Sequence, residues 1–178
     1  MRNDLTSEVV RERFSYDPDE GMLRYRQATV RHCRIVPEGS VAGGLNKEGY
    51  RYVMVRGIHY RASRIIWLYM TGSWPKHKID HKNCNTSDDR WENLRQATDS
   101  QQKQNNRKRK DNKTGYKCVV YCKEPRYKHG RFYRWQVVVD GKRIKSGARY
   151  ATAEEAYAAY CARLVEFHGE FANPGVAP

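Results

Sequence analysis

Asp80 and His81 stand side by side in the run KIDHKNCNTSDDRWENLRQAT (Lys78–Thr98), and Asn93 follows twelve residues after the histidine. An acid, an imidazole and an amide at that spacing are parts that metal-assisted phosphodiester hydrolysis requires. The reaction needs a water made nucleophilic, a base to take its proton, and positive charge on the leaving oxygen. Neighbouring residues of a strand point to opposite faces, so Asp80 could meet a divalent cation while His81 met the water. An ordinary imidazole titrates near ~6.5, which suits a base at cellular pH. Asn93 could orient the ring by accepting the Nδ1 hydrogen on its amide oxygen. A hard cation such as Mg2+ (or Mn2+) prefers oxygen ligands, and a carboxylate, an amide and several waters suffice. A plain polar loop can also contain these three residues, so their setting matters.

The setting is a compact polar module. KID, between Pro75 and the NCNTSDDR loop, has the length of a brief strand, and LRQAT has that of a second. Thr98, Asp99 or Ser100 then caps a polar helix, SQQKQNNRK. This module has few apolar residues and must borrow a core from what precedes it. LTSEVVRERF (Leu5–Phe14) predicts a short amphipathic helix capped by Thr6, with Val9, Val10 and Phe14 on its apolar side. SYDPDEGMLRYR turns at Asp17-Pro18-Asp19 and Glu20-Gly21 and enters a strand. VAGGLNKEGYRYVMVRGIHYRAS alternates like a hairpin turning at Arg56-Gly57, and Ser63 is placed to cap a buried helix, RIIWLYMTG, stopped by Gly72.

Gln101 to Lys113 contains no apolar residue and marks the expected domain boundary. Its RKRK run, Arg107, Lys108, Arg109 and Lys110, reads equally as a solvated linker or a phosphate-contacting arm. From Thr114 the pattern becomes a three-stranded antiparallel sheet with Asp140-Gly141 as a hairpin turn. Thr152 and Glu155 form a capping box, and Ala156, Tyr157, Tyr160, Leu164 and Phe167 recur at helical spacing up to Gly169. On the expected exposed sheet face Arg126, Arg131, Arg134, Lys142, Arg143 and Lys145 interleave with Tyr127, Tyr133 and Trp135. Such a face can enter a DNA major groove. The fold class is therefore α+β.

The chain has 178 residues, of which 39% are hydrophobic, with 13 Tyr and 4 Trp; two small cores suit it better than one large one. A formal net charge of +14 favours a polyanionic partner, since Lys and Arg release counterions from a phosphate backbone. The odd count of five cysteines at irregular spacing reads as reduced thiols, and no zinc site is expected of Cys118 and Cys122. MRNDLTSEVVRERF lacks the apolar core of a signal peptide, and no run approaches the ~20 apolar residues of a membrane span. A soluble cytoplasmic protein with no membrane association, not secreted, is expected. No coiled-coil heptad points to an obligate protein partner.

IDHKNCNTSDDRWENLR resembles the core of the HNH endonucleases, in the branch that runs Asp-His, polar loop, Asn-Leu-Arg, helix. LTSEVVRERFSYDPDEGMLRY, VAGGLNKEGYRYVMV and RIIWLYMTGSWP are similar to the N-terminal half of phage- and intron-associated members. TGYKCVVY, RWQVVVDGKRIKSG and ATAEEAYAAYCARLVEFHGEFAN resemble the AP2 DNA-binding domain. The resemblance implies a ββα-metal homing endonuclease acting on double-stranded DNA, with residues 1–106 as nuclease, 107–113 as basic linker and 114–178 as AP2-like domain. It makes His81 the general base, Asp80 a metal ligand and Asn93 the residue orienting His81. The family's second metal ligand, an Asn or His nine residues after that Asn, falls here on Gln102, with Asn105 or Asn106 as substitutes. Cys84 and Cys118 stand where Gly is usual, and Asp89 where Asn is common. The competing expectation is a DNA-binding regulatory protein with a weak or inactive nuclease module. An RNA-binding protein comes third.

Overall fold

The structure is a computed structural model that describes residues 5–31, 33–106, 108–109, 111–123, 131–139 and 141–175, with Arg31 and Arg131 described by backbone alone. It divides into two compact units, Met1–Ala97 and Thr98–Pro178. Among the described residues no helix is long and apolar enough to cross a membrane.

The first unit opens with the expected capped helix. Thr6 Oγ1 accepts the Val9 N–H at 3.5 Å, and α1 (Ser7–Arg13) follows. Val10 and Phe14 are fully buried, Phe14 as the first residue of β1 (Phe14–Asp17). β1 pairs antiparallel with β2 (Met22–Tyr25), and the Asp17 carboxylate closes their turn by accepting the N–H groups of Asp19 and Glu20. A short ribbon of β3 (Thr29–Arg31) and β4 (Arg34–Val36) comes next. β5 (Gly44–Leu45), β6 (Arg51–Val55) and β7 (Ile58–Arg61) form a sheet with β6 in the middle. Arg56 and Gly57, both at positive φ (50° and 76°), make the expected turn, as a two-residue hairpin loop demands.

α2 (Ala62–Thr71) follows β7 without a break. Ser63 does not cap it: Arg61 occupies the cap position with no side-chain bond, and Ser63 is buried in the first turn. Pairing of Arg61 with Tyr52 keeps the chain extended up to Arg61, so the end of the strand, not a side-chain acceptor, sets where the helix starts. Gly72 ends it in the left-handed conformation, as expected. Ile65, Ile66 and Leu68 join Val10, Phe14, Leu23, Val53 and Val55 in one core. Each such side chain contributes about 1.5–3 kcal/mol by leaving water. β8 (Lys78–His81) and β9 (Leu94–Ala97), both expected as strands, pair antiparallel with a 3-10 turn at Trp91–Asn93 before β9. They lend Ile79 and Leu94 to that core, so the polar module does borrow its stability from the residues before it.

In the second unit, Thr98 and Gln101 form a capping box on α3 (Asp99–Asn105). The division between units thus falls ahead of the expected boundary at 106. With no apolar face, α3 is held by polar contacts: Lys117 Nζ donates to the carbonyls of Gln104 (2.7 Å) and Asn173 (2.6 Å), and Asn173 Nδ2 donates to that of Asn105 (2.8 Å). β10 (Val119–Lys123), β11 (Arg131–Val139) and β12 (Lys142–Lys145) form an antiparallel sheet in that order. α4 (Ala153–Cys161), started by the Thr152–Glu155 capping box, packs on it. The helical spacing out to Phe167 does not become one helix. Arg163 leaves helical geometry (φ −111°, ψ 3°), and α5 (Leu164–His168) begins after it. Tyr160 and Leu164 still meet Trp135 and Val137 in a second, smaller core.

Candidate active site

The β8–β9 hairpin brings Asp80, His81 and Asn93 into one region, and all three are buried. Register sets Asp80 opposite Arg95 and His81 opposite Leu94, so acid and imidazole take different surroundings. Asp80 Oδ2 accepts from Arg95 Nε at 3.0 Å in a nearly enclosed ion pair. His81 Nε2 lies 2.9 Å from Asp89 Oδ1, with each side chain 3% exposed. The Tyr50 ring stands 6.1 Å from the imidazole, and the Arg61 guanidinium lies 4.1 Å over that tyrosine.

Asn93 does not hold the imidazole. Its Oδ1 accepts the Asn83 N–H at 3.0 Å, and its Nδ2 donates to Asn83 Oδ1 (3.1 Å) and the Asp88 carbonyl (2.7 Å). The amide is committed to the backbone of the loop between the strands, and Asp89, further along that loop, meets the ring instead. Asp88 completes the loop. Both its oxygens accept from Arg90 at 2.8 Å, and Oδ2 also accepts from Asn83 Nδ2 at 2.7 Å. The Arg90 bonds above all, then the Asn83 bond, pull the Asp88 carboxyl down to about 2. Cys84 turns the loop in the left-handed region at φ 56°, a conformation glycine adopts without strain.

The donors here suit a hard cation. Among the described residues no group of three His, Cys, Asp or Glu side chains gathers. Two carboxylates are buried here, Asp89 against His81 and Asp80 against Arg95; Asp80 fits an ion of the Mg2+ kind, which keeps most of its waters and takes one or two protein oxygens. Gln102 stands on α3 in the second unit.

The basic residues of the second unit divide sharply. Lys108 donates to the Gly115 carbonyl at 2.7 Å, and Arg109 pairs with Asp111 through two bonds of 2.8 and 2.9 Å. Arg107, Lys110, Arg126 and Tyr127 lie outside the described residues, as do Asp140 and the side chain of Arg131. Trp135 is not on an exposed face: it is 3% exposed and packs with Tyr160 and Leu164, and Tyr133 packs with Val119 and Ala156. Strand alternation is the reason, since apolar Val119 and Val137 share the Trp135 face and draw the helix to it. Arg134 takes the other face by alternation, and there Lys145 sits opposite Gln136 and Arg143 opposite Val138. Arg143 and Lys145 are exposed, as is Lys142, which pairs with Val139 on the helix side; Arg134 is half-buried with an unpartnered Nε. Arg149, 4.9 Å over the Phe132 ring, adds a cation that sequence reading missed.

Residues 60–104 match the family model of the HNH endonucleases. The matched segment starts in β7 and ends in α3, taking in Asp80, His81, Asn93 and Gln102, as well as Arg61, Asp89 and Arg95, whose contacts around the site the sequence did not announce. Asp89 left one trace in the sequence, an acid where the HNH resemblance leads one to expect Asn. Arg61 and Arg95 left none that separates them from other arginines. No curated protein and no solved structure matches the chain.

Proposed function

We propose that the protein is a metal-dependent DNA endonuclease of the HNH, homing-endonuclease type, hydrolysing phosphodiester bonds in duplex DNA. The observation that carries this reading is the HNH match over a hairpin whose adjacent Asp80 and His81 are buried with separate partners. His81 takes the proton from the attacking water. Asp80 holds the divalent cation, Mg2+ or Mn2+, and Arg95 keeps that carboxylate aimed. Gln102 is the second ligand on the strength of the HNH resemblance alone. The cation, when bound, supplies positive charge to the scissile phosphate and the leaving oxygen. Asn93 serves the site by building the loop that carries Asp89.

DNA binding is assigned to the second unit as an AP2-like module. Arg134, Arg143 and Lys145 on the open sheet face, with Lys142 at its edge and Lys108 and Arg109 in the arm, supply phosphate and guanine contacts. The net charge of +14 supports that assignment.

The test is nicking of supercoiled plasmid with Mg2+ or Mn2+, with His81→Ala as control. Loss of the base lowers the rate by about 10²–10⁴-fold. No nicking by the wild type with either metal, or equal nicking by the variant, sinks the enzyme reading. The ion pair between Asp80 and Arg95 gives a second reading some footing, a DNA-binding regulator whose carboxylate is already engaged. Salt-dependent duplex binding without any nicking is its signature. Gln102→Asn, which shortens the amide by one methylene, keeps or raises the nicking rate.

A further inference from the structure

We infer that Asp89 is the positioning residue for His81, fixing the ring hydrogen on Nε2 and the basic lone pair on Nδ1, and that the N-terminal β1–β2 hairpin holds Asp89 in place. The inference rests on the nuclease reading for its purpose, but not for its geometry. A carboxylate is an acceptor only, so at 2.9 Å from Asp89 Oδ1 the Nε2 atom carries the hydrogen. Nδ1 is then the nitrogen that takes a proton. The other carboxylate oxygen, Oδ2, is buried with no hydrogen-bond partner. An orphaned buried oxygen is unfavourable, and an acid at that cost points to a task that an apolar residue could not do.

Three contacts from residues 16–21 converge on the segment that bears this acid. The Tyr16 hydroxyl donates to the Asp89 carbonyl at 2.8 Å inside the unit. The Trp91 N–H donates to the Pro18 carbonyl at 3.2 Å. Gly21, at φ 72°, lies flat against the chain: a Cβ there would stand 2.5 Å from the Arg90 nitrogen and 2.7 Å from the Asp89 carbonyl carbon. Burial first, and then the charge of Asp89, pushes the Tyr16 phenol well above its usual range, so it stays a hydrogen-bond donor. None of these hairpin residues lies in the segment that matches the HNH family. The site's base is therefore aimed by a part of the chain outside that segment, through Asp89.

Long-range 1H–15N spectra of the full-length, 15N-histidine-labelled protein without DNA read the tautomer directly, with His81→Ala assigning the signal. The expected ring is Nε2–H in the wild type and in Asp89→Asn, whose amide oxygen still accepts. Asp89→Ala gives a tautomer mixture, and its kcat for plasmid nicking falls by about 10–100-fold with KM unchanged, whereas Asp89→Asn restores most of it. Tyr16→Phe gives the same changes in smaller measure. An Nδ1–H ring in the wild type overturns the assignment, and does so even if Asp89→Ala fails to fold. Asp89→Ala with the wild-type tautomer and kcat overturns it too, and Tyr16→Phe indistinguishable from wild type in both readouts overturns the role of the hairpin. Because the spectra need no DNA, failure of the nuclease reading shows separately, as absent nicking beside an intact tautomer pattern.

Discussion

The loop between β8 and β9 and the open face of the β10–β12 sheet are both rich in polar side chains, yet they use them in opposite ways. In the loop, Asn83, Asp88, Asp89 and Asn93 bond to one another, to backbone or to His81, and three of the four are buried or nearly so. On the sheet, Arg143 and Lys145 stand in solvent. Low dielectric makes the enclosed bonds strong and directional, which is what aiming a base requires. Exposed cations interact weakly with their neighbours and strongly with a polyanion that releases counterions, which is what holding DNA requires. On the proposed reading, the polar residues of the first region set geometry and those of the second set attraction.

That contrast can be broken by substitution. Combined Arg134→Ala, Arg143→Ala and Lys145→Ala should make the slope of log K against log salt shallower by about 3 in a duplex-binding titration, with little change in folding. An unchanged slope would remove the sheet face from the DNA contact. Asn93→Ala should do the reverse, leaving the salt slope alone while urea denaturation shows a loss of about 1–3 kcal/mol, since the part-buried Asp88 carbonyl and Asn83 N–H lose their partners. Stability near that of the wild type would mean that the loop network is dispensable.

Acid gives a milder, graded test. Asp88 is held at about 2 against an ordinary 3.8, so it binds protons less readily folded than unfolded. Its contribution is complete above about pH 4 and is lost as pH falls from there towards 2. Thermal melts across that window should show Asp88→Asn losing less on acidification than the wild type, and parallel curves would contradict the ion pair. The smallest effects concern two of the three cysteines in the left-handed region, Cys84 (φ 56°) in the first unit and Cys118 (φ 62°) in the second. Cys84→Gly should gain about 0.5–1 kcal/mol by relieving the backbone. Cys118→Gly should gain less, because that side chain packs against the second core and burial raises its thiol pKa. Equal gains would show that the packing contributes nothing.

Local physics made much of this legible in the sequence. The caps at Thr6 and Thr152 need only a side-chain oxygen and an N–H three residues on, so they could be read directly, whereas for α3 the sequence offered Thr98, Asp99 or Ser100 and the structure takes Thr98. Two expectations that needed a longer reach failed. Ser63 has the right chemistry for a cap, but the pairing of Arg61 with Tyr52 keeps the chain extended to the position before the helix. Trp135 alternates correctly along its strand, yet which face of the sheet receives α4 depends on Val119, Val137 and Tyr160 together.

The sequence by itself determined the paired strands that bear Asp80 and His81, the chemistry those two residues can do, the two separate cores and the excess of positive charge. These follow from residue type and from spacing within a few positions. Tertiary structure alone decided that His81 answers to Asp89 and not to Asn93. That choice depends on how the loop lies beneath the β1–β2 hairpin, where Tyr16 reaches across 73 positions of chain to the Asp89 carbonyl. Asn93 and Asp89 can both accept a hydrogen bond from an imidazole. Only the packing of the loop settles which of them is near enough to do so.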